Sequence, residues 1–209
     1  MQRALQLALL EEVRDPEPPI RLTALFYEPG SAAQVAEEIG GLGDVVVAVG
    51  APLSGGDSQA PLAARGVPPQ QPHPEVERLV EALDMQVFSD DEGLVVEGAY
   101  QDFALFETNA DGVFYALQGR RLPAKRHPYG MRLRIEELAG DRVTDEGGDL
   151  WHRRIEELDA AACALCAHRY AVGHAYSLGA LVLPGSDLPG TFSSRGVLPP
   201  VERINLPGT

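Results

Sequence analysis

Apolar and polar residues alternate over residues 3–11 and again over 20–27, on either side of a proline-rich turn at 14–19. Alternation puts every second side chain on one face, so the two stretches predict a hairpin of half-buried strands. Ser31-Ala32-Ala33-Gln34 has the spacing of a capping box and predicts a helix running to about residue 39, closed by the glycines at 40–43. Residues 44–49, Asp-Val-Val-Val-Ala-Val, then form an unbroken apolar run. That is the pattern of a central strand covered on both faces.

The pattern breaks down between Ala51 and Pro74, where six prolines and three glycines leave little periodicity. This stretch predicts a long, functional or disordered loop. Pro74 suits the first turn of a helix whose buried stripe is Val76, Leu79, Val80 and Leu83. Further strands are predicted at 94–97 and 103–106 and a short helix at 108–117. A basic connection at 119–129 leads to a helix at 131–138, and a long helix covers 150–172. A last apolar strand at 180–183 ends in Pro184, and an irregular Pro/Gly/Ser-rich tail occupies about 185–209. Hairpin, helix, central strand and later helices together predict one mixed α/β domain over 1–209.

Composition narrows the function classes. The chain has 209 residues, enough to bury a sizeable core. No apolar run reaches the roughly 20 residues that span a bilayer, so no membrane partner is expected. The first residues lack the basic start and continuous apolar core of a signal peptide, which predicts a cytoplasmic protein. Seventeen basic residues against thirty-one acidic ones give a formal net charge of −14. Nucleic-acid binding draws on neutralised phosphates, so this field disfavours a nucleic-acid partner. A homo-oligomer is compatible with these numbers, and the partner itself is unassigned.

The only cysteines, Cys163 and Cys166, are one helical turn apart, which excludes a secreted disulfide framework. With His168 and His174 they raise a zinc alternative. On a helix, however, His168 points away from both thiols, and small thiols in an Ala-rich helix are more often packing. A thioredoxin-like role would need the motif to open a helix after a strand. Gly55-Gly56 lacks the Lys-Ser/Thr of a phosphate loop, and Ser54 lacks a nucleophile elbow.

The most informative residue is Asp159. It sits in Ile155-Glu156-Glu157-Leu158-Asp159-Ala160-Ala161-Ala162-Cys163, with Ile155, Ala162, Cys163, Cys166 and Tyr170 along its helical face. A carboxylate among apolar neighbours must be paired, hydrogen-bonded, metal-bound or neutralised. Its structural alternative is pairing with Lys125 or an Arg of the basic connection.

Several stretches, in order, resemble domain-of-unknown-function family 429, described as predicted nucleases with a ribonuclease H-like fold. They are Val46-Val47-Ala48-Val49-Gly50-Ala51-Pro52-Leu53-Ser54, Phe106-Glu107-Thr108-Asn109-Ala110, Arg121-Leu122-Pro123-Ala124-Lys125, Gly130-Met131-Arg132, Glu157-Leu158-Asp159-Ala160, and 179–184. The resemblance covers about two-thirds of the chain. It implies an α/β ribonuclease H-like mixed sheet flanked by helices, with Mg2+ or Mn2+ as cofactor. It also implies Glu107 and Asp159 as catalytic and metal-binding acids, and Lys125 and Arg132 as substrate-binding residues.

Two departures matter. The family's acid on the central strand corresponds to Gly50 here, and the first strand, 5–10, contains no acid. Two-metal phosphodiester hydrolysis needs several oxygen ligands around ions roughly 3.5–4 Å apart. Glu107 and Asp159 alone make a poor cage. The expectation is therefore a chain with weak or no catalysis, used as a binding or assembly module. The alternative is an active divalent-metal-dependent nuclease completed by Glu11, Glu12 or Asp57.

Overall fold

The structure, a computed structural model, describes residues 20–22, 30–42, 45–53, 58–88, 104–145, 149–171 and 174–185. Its elements in chain order are β1 (Ile20–Leu22), α1 (Ala32–Gly40), β2 (Val46–Val49), α2 (Ala60–Ala63), α3 (Pro74–Leu83), β3 (Ala104–Glu107) and α4 (Ala110–Gln118). There follow α5 (Pro128–Gly140), β4 (Val143–Asp145), a 3-10 turn (Leu150–His152), α6 (Ile155–Ala171), β5 (Ala175–Leu178) and β6 (Leu181–Pro184). The class is mixed α/β. A four-stranded sheet runs β2-β3-β6-β5, with β2, β3 and β6 parallel and β5 antiparallel to β6. β1 and β4 form a separate parallel pair, with Ile20 opposite Val143 and Leu22 opposite Asp145.

The apolar run at 46–49 forms β2, and all four residues are buried. Because strand side chains alternate, the run divides between two cores. Val47 and Val49, with Leu105, face α1 and α3. Val46 and Ala48, with Phe106, face the layer of α4, α5 and α6. Coverage on both sides explains why this strand has no polar alternation.

α6 is buried on more than the apolar face expected around Asp159. From Ala161 to Ala167 every residue is buried, so this stretch has no solvent face. Its alanines and cysteines permit close approach to β2, β6, α4 and α5. The helix is apolar all round because it runs through the centre of its layer.

Several element boundaries moved for local reasons. Ser31 precedes α1 but makes no side-chain cap bond, and Gln34 reaches forward to Glu38 instead of back. The expected capping box is therefore absent. The helix expected at 108–117 starts two residues later, because Asn109 caps it by accepting the Gly112 N–H at 2.8 Å. α5 begins at Pro128, where a missing N–H costs nothing, rather than at 131. The helix expected from 150 is split into a 3-10 turn and α6. Glu157 then folds back on the Arg154 N–H at 2.6 Å, half of a capping box.

Three elements lacked a strong pattern. α2 lies inside the Pro-rich stretch, β4 carries polar Thr144 and Asp145, and β5 is joined to β6 through Gly179 at φ +64°. The hairpin partner at 3–11, the strand at 94–97 and the tail beyond residue 185 lie outside the described residues. Among the described residues, no helix is long and apolar enough to cross a membrane.

Candidate functional site

Val49 and Glu107 are register partners at the carboxyl ends of β2 and β3, and Gly50 follows immediately. In parallel α/β sheets, strand ends of this kind are where sites are built. Glu107 is 1% exposed. Its carboxylate accepts three hydrogen bonds, from Leu53 N at 3.0 Å, Ser58 Oγ at 2.6 Å and Gln59 Nε2 at 3.0 Å. None of the ion pairs among the described residues involves it. Its charge is held by neutral donors, which is how a carboxylate can stay buried without a cation.

Gln59 extends the network. Its Oε1 accepts from Gln70 N at 2.8 Å and from Asn109 Nδ2 at 2.9 Å, and Asn109 Nδ2 also reaches Pro68 O at 3.2 Å. Gln59 and Asn109 are both buried. These contacts tie Leu53, Ser58, Gln59, Pro68 and Gln70 to the end of β3. The Pro-rich segment is thus anchored through one acid, one amide and the cap of α4. Beside them Thr108 bridges to β6, its Oγ1 donating to Val182 O at 2.8 Å.

Asp159 belongs to a different network. It lies early in α6, 20% exposed, with Oδ2 at 2.5 Å from Lys125 Nζ. Its Oδ1 is buried and has no hydrogen-bond partner. Burial pushes the Asp159 carboxyl above the usual carboxylate range, more strongly than Lys125 pulls it down. Burial also acts against the Lys125 ammonium, but Asp159, helped by Asp111, outweighs it and raises that pKa. The asymmetry is physical: Lys125 is 38% exposed and keeps part of its hydration, whereas Asp159 has one oxygen that is buried without a hydrogen-bond donor.

Arg134 completes this second network. It is 3% exposed and donates to Asp111 Oδ1 at 2.6 Å and to the carbonyls of Pro123 and Gly130, both at 2.9 Å. Its guanidinium also lies 5.3 Å above the Phe114 ring. Gly130 is required here, since a Cβ would meet Ala124 O at 2.2 Å and Pro123 O at 2.7 Å. Two acids and two bases therefore pin the basic connection against α4 and α6.

The space beside Gly50 is filled. A Cβ at Gly50 would lie 2.9 Å from Cys163 Sγ, with Gln70 Nε2 next at 3.8 Å. Gly50 does not lie in the left-handed region. Its lack of a side chain therefore serves packing and not backbone conformation. Cys163 follows Asp159 by one helical turn, and its thiol stands where any side chain at position 50 would project. Burial and the nearby Asp159 charge keep that thiol protonated. Cys166 is pushed up to about 12, also chiefly by burial.

The four residues expected at a site therefore separate. Glu107 joins the loop network and Asp159 pairs with Lys125. Arg132 is exposed and pairs along α5 with Glu136 at 2.6 Å. Sequence reasoning assigned no site role to Ser58, Gln59, Asn109 or Asp111, and it did not foresee the pairing of Arg134 with Asp111. Asn109 carried a signal, since it stands two residues after Glu107 in the resembling stretch Phe106-Glu107-Thr108-Asn109-Ala110. Glu11, Glu12 and Asp57 lie outside the described residues.

Among the described residues, the side-chain donors do not fit Mg2+ or Mn2+. Both Glu107 oxygens face hydrogen-bond donors, Asp159 Oδ2 faces an ammonium, and Gly50 supplies no side-chain oxygen. Among the described residues, no group of three or more His, Cys, Asp or Glu side chains is placed to hold a metal. Cys163, Cys166, His168 and His174, the set raised for zinc, are among these residues. No family model, no curated protein and no solved structure matches the chain.

Proposed function

We propose that this chain is a ribonuclease H-like relative of predicted nucleases whose acid site has been converted into structural ties, leaving a binding or assembly module without phosphodiesterase activity. One observation carries this reading: Cys163 Sγ occupies the space beside Gly50 into which a strand-end acid would project. Two further observations support it. Glu107 is saturated by Leu53, Ser58 and Gln59, and Asp159 is bonded to Lys125. A metal would have to displace all of these contacts, each worth about 1.5–3 kcal/mol where a charged group is involved.

A second reading, an active divalent-metal-dependent nuclease, is favoured by the buried, unpartnered Oδ1 of Asp159. That oxygen is an open acceptor, and the remaining ligands would have to come from outside the described residues. Incubation of the purified full chain with single- and double-stranded DNA and RNA in Mn2+ separates the two. The first reading expects no cleavage above a buffer blank and no Mn2+ binding by titration calorimetry. Mn2+-dependent cleavage that Asp159→Asn abolishes would overturn it.

A further inference from the structure

The segment from Gly119 to Ile135 contains Arg120, Arg121, Lys125, Arg126, Arg132 and Arg134 and no acid. Lys125 and Arg134 are consumed by Asp159 and Asp111. Arg120, Arg121 and Arg126 are exposed and make no hydrogen bond or ion pair among the described residues. In a chain with nearly twice as many acids as bases, unpartnered arginines are unexpected on Coulombic grounds. Beside them Tyr129 is 52% exposed, at the first turn of α5. The patch is held rigid from below by Arg134 and by the Lys125–Asp159 pair.

The opposite side of the sheet carries the complementary charge. α1 and α3 cover the Val47, Val49 and Leu105 face, and their outer positions include Glu37, Glu77, Glu81 and Asp84, all exposed. Glu77 and Glu81 are one turn apart on α3 and have no ion pair among the described residues. The basic patch belongs to the α4–α6 layer on the other face. Because the two surfaces lie on opposite sides of one sheet, they cannot satisfy each other within a chain. They can do so between chains.

We propose that the Arg120–Arg121–Arg126 patch, with Tyr129 as its apolar anchor, docks on the α1/α3 acidic face of a second copy of this chain. The contact is heterologous, so copies stack head to tail and do not close as a two-fold dimer. A second copy is favoured over a long polyanion because it brings a bounded acidic face, Glu37, Glu77, Glu81 and Asp84, to set against the patch. The inference is independent of whether the acid site is catalytic, so neither result decides the other.

The test is sedimentation velocity of the full chain at salt concentrations of about 0.01 M and about 1 M, where the screening lengths are roughly 30 Å and 3 Å. Concentration-dependent association is expected at low salt and should weaken at least about tenfold at high salt. Two charge-reversed variants complete it, Arg121→Glu with Arg126→Glu and Glu77→Lys with Glu81→Lys. Each should sediment alone as a 22.4 kDa monomer, and an equimolar mixture should associate again. Far-UV circular dichroism checks that both variants fold. The proposal is overturned by a wild type that stays monomeric at low salt, by reversed variants that associate as before, or by association that requires added single-stranded DNA.

Discussion

The contact between Gly50 and Cys163 makes a quantitative prediction. A methyl at position 50 would lie 2.9 Å from Cys163 Sγ, well inside the roughly 3.5–4.0 Å of an unstrained nonbonded contact. Cys163 is buried in a helix with no open side, so it has little room to yield. Overpacking of this kind costs about 1–3 kcal/mol. Gly→Ala also recovers about 0.4–1 kcal/mol from the unfolded chain where the backbone conformation is ordinary, as it is at Gly50. Gly50→Ala should therefore lose a net of roughly 1–2 kcal/mol. Cys163→Ala alone removes one buried sulfur and should cost about 0.5–1.5 kcal/mol. In the double variant the new methyl occupies the space the sulfur leaves, so the two losses should not add. A coupling of roughly 1–2 kcal/mol is expected, within the range for touching side chains. Urea unfolding of the four proteins, with a common m-value, measures it. Additivity within about 0.5 kcal/mol would show that the thiol and Gly50 do not compete for one space.

Other expectations follow from the two networks. The raised Asp159 pKa means that its ionisation opposes folding; its contribution is greatest below its unfolded value of about 3.9 and is lost as pH rises through the folded value. Wild-type stability relative to Asp159→Asn should thus fall as the pH rises above about 4, and a rise there would contradict the assignment. Lys125→Met strands a mostly buried carboxylate. With Lys125 38% exposed, the loss should lie between the ~0–1 kcal/mol of a surface pair and the ~3–5 kcal/mol of a buried one, read by the same unfolding assay. Glu107→Gln turns an amide donor toward the donors around Leu53 and Ser58 and should cost about 1–3 kcal/mol. Hydrogen exchange at the Leu53 and Gln70 amides should accelerate in that variant, and unchanged protection would mean that Glu107 does not anchor the loop.

The sequence disclosed the fold where one pattern dominated. The run at 46–49 is a doubly covered strand, and Pro74 opens its helix with Val76 and Leu79 buried. It misled where two local preferences competed. Ser31 and Gln34 had capping spacing, yet Gln34 found Glu38 nearer. For the site, Asp159 could be read as a constrained acid from its apolar neighbours, and Lys125 could be named as its alternative partner. The Glu107 network could not be read, because Ser58, Gln59 and Asn109 meet only through tertiary folding and no spacing in the chain relates them. The role of Cys163 was hidden for the same reason, since a small residue in an Ala-rich helix looks like filler until the strand opposite is placed.

The two thiols of α6 have one further consequence. The thiolate is the form that attacks a disulfide reagent, and both groups are buried and held in the protonated form. Labelling must therefore wait for α6 to part from the sheet, and its rate measures how often the protein opens along this seam. With no other cysteine in the chain, wild type already carries a probe of its own breathing, and no engineered label is needed.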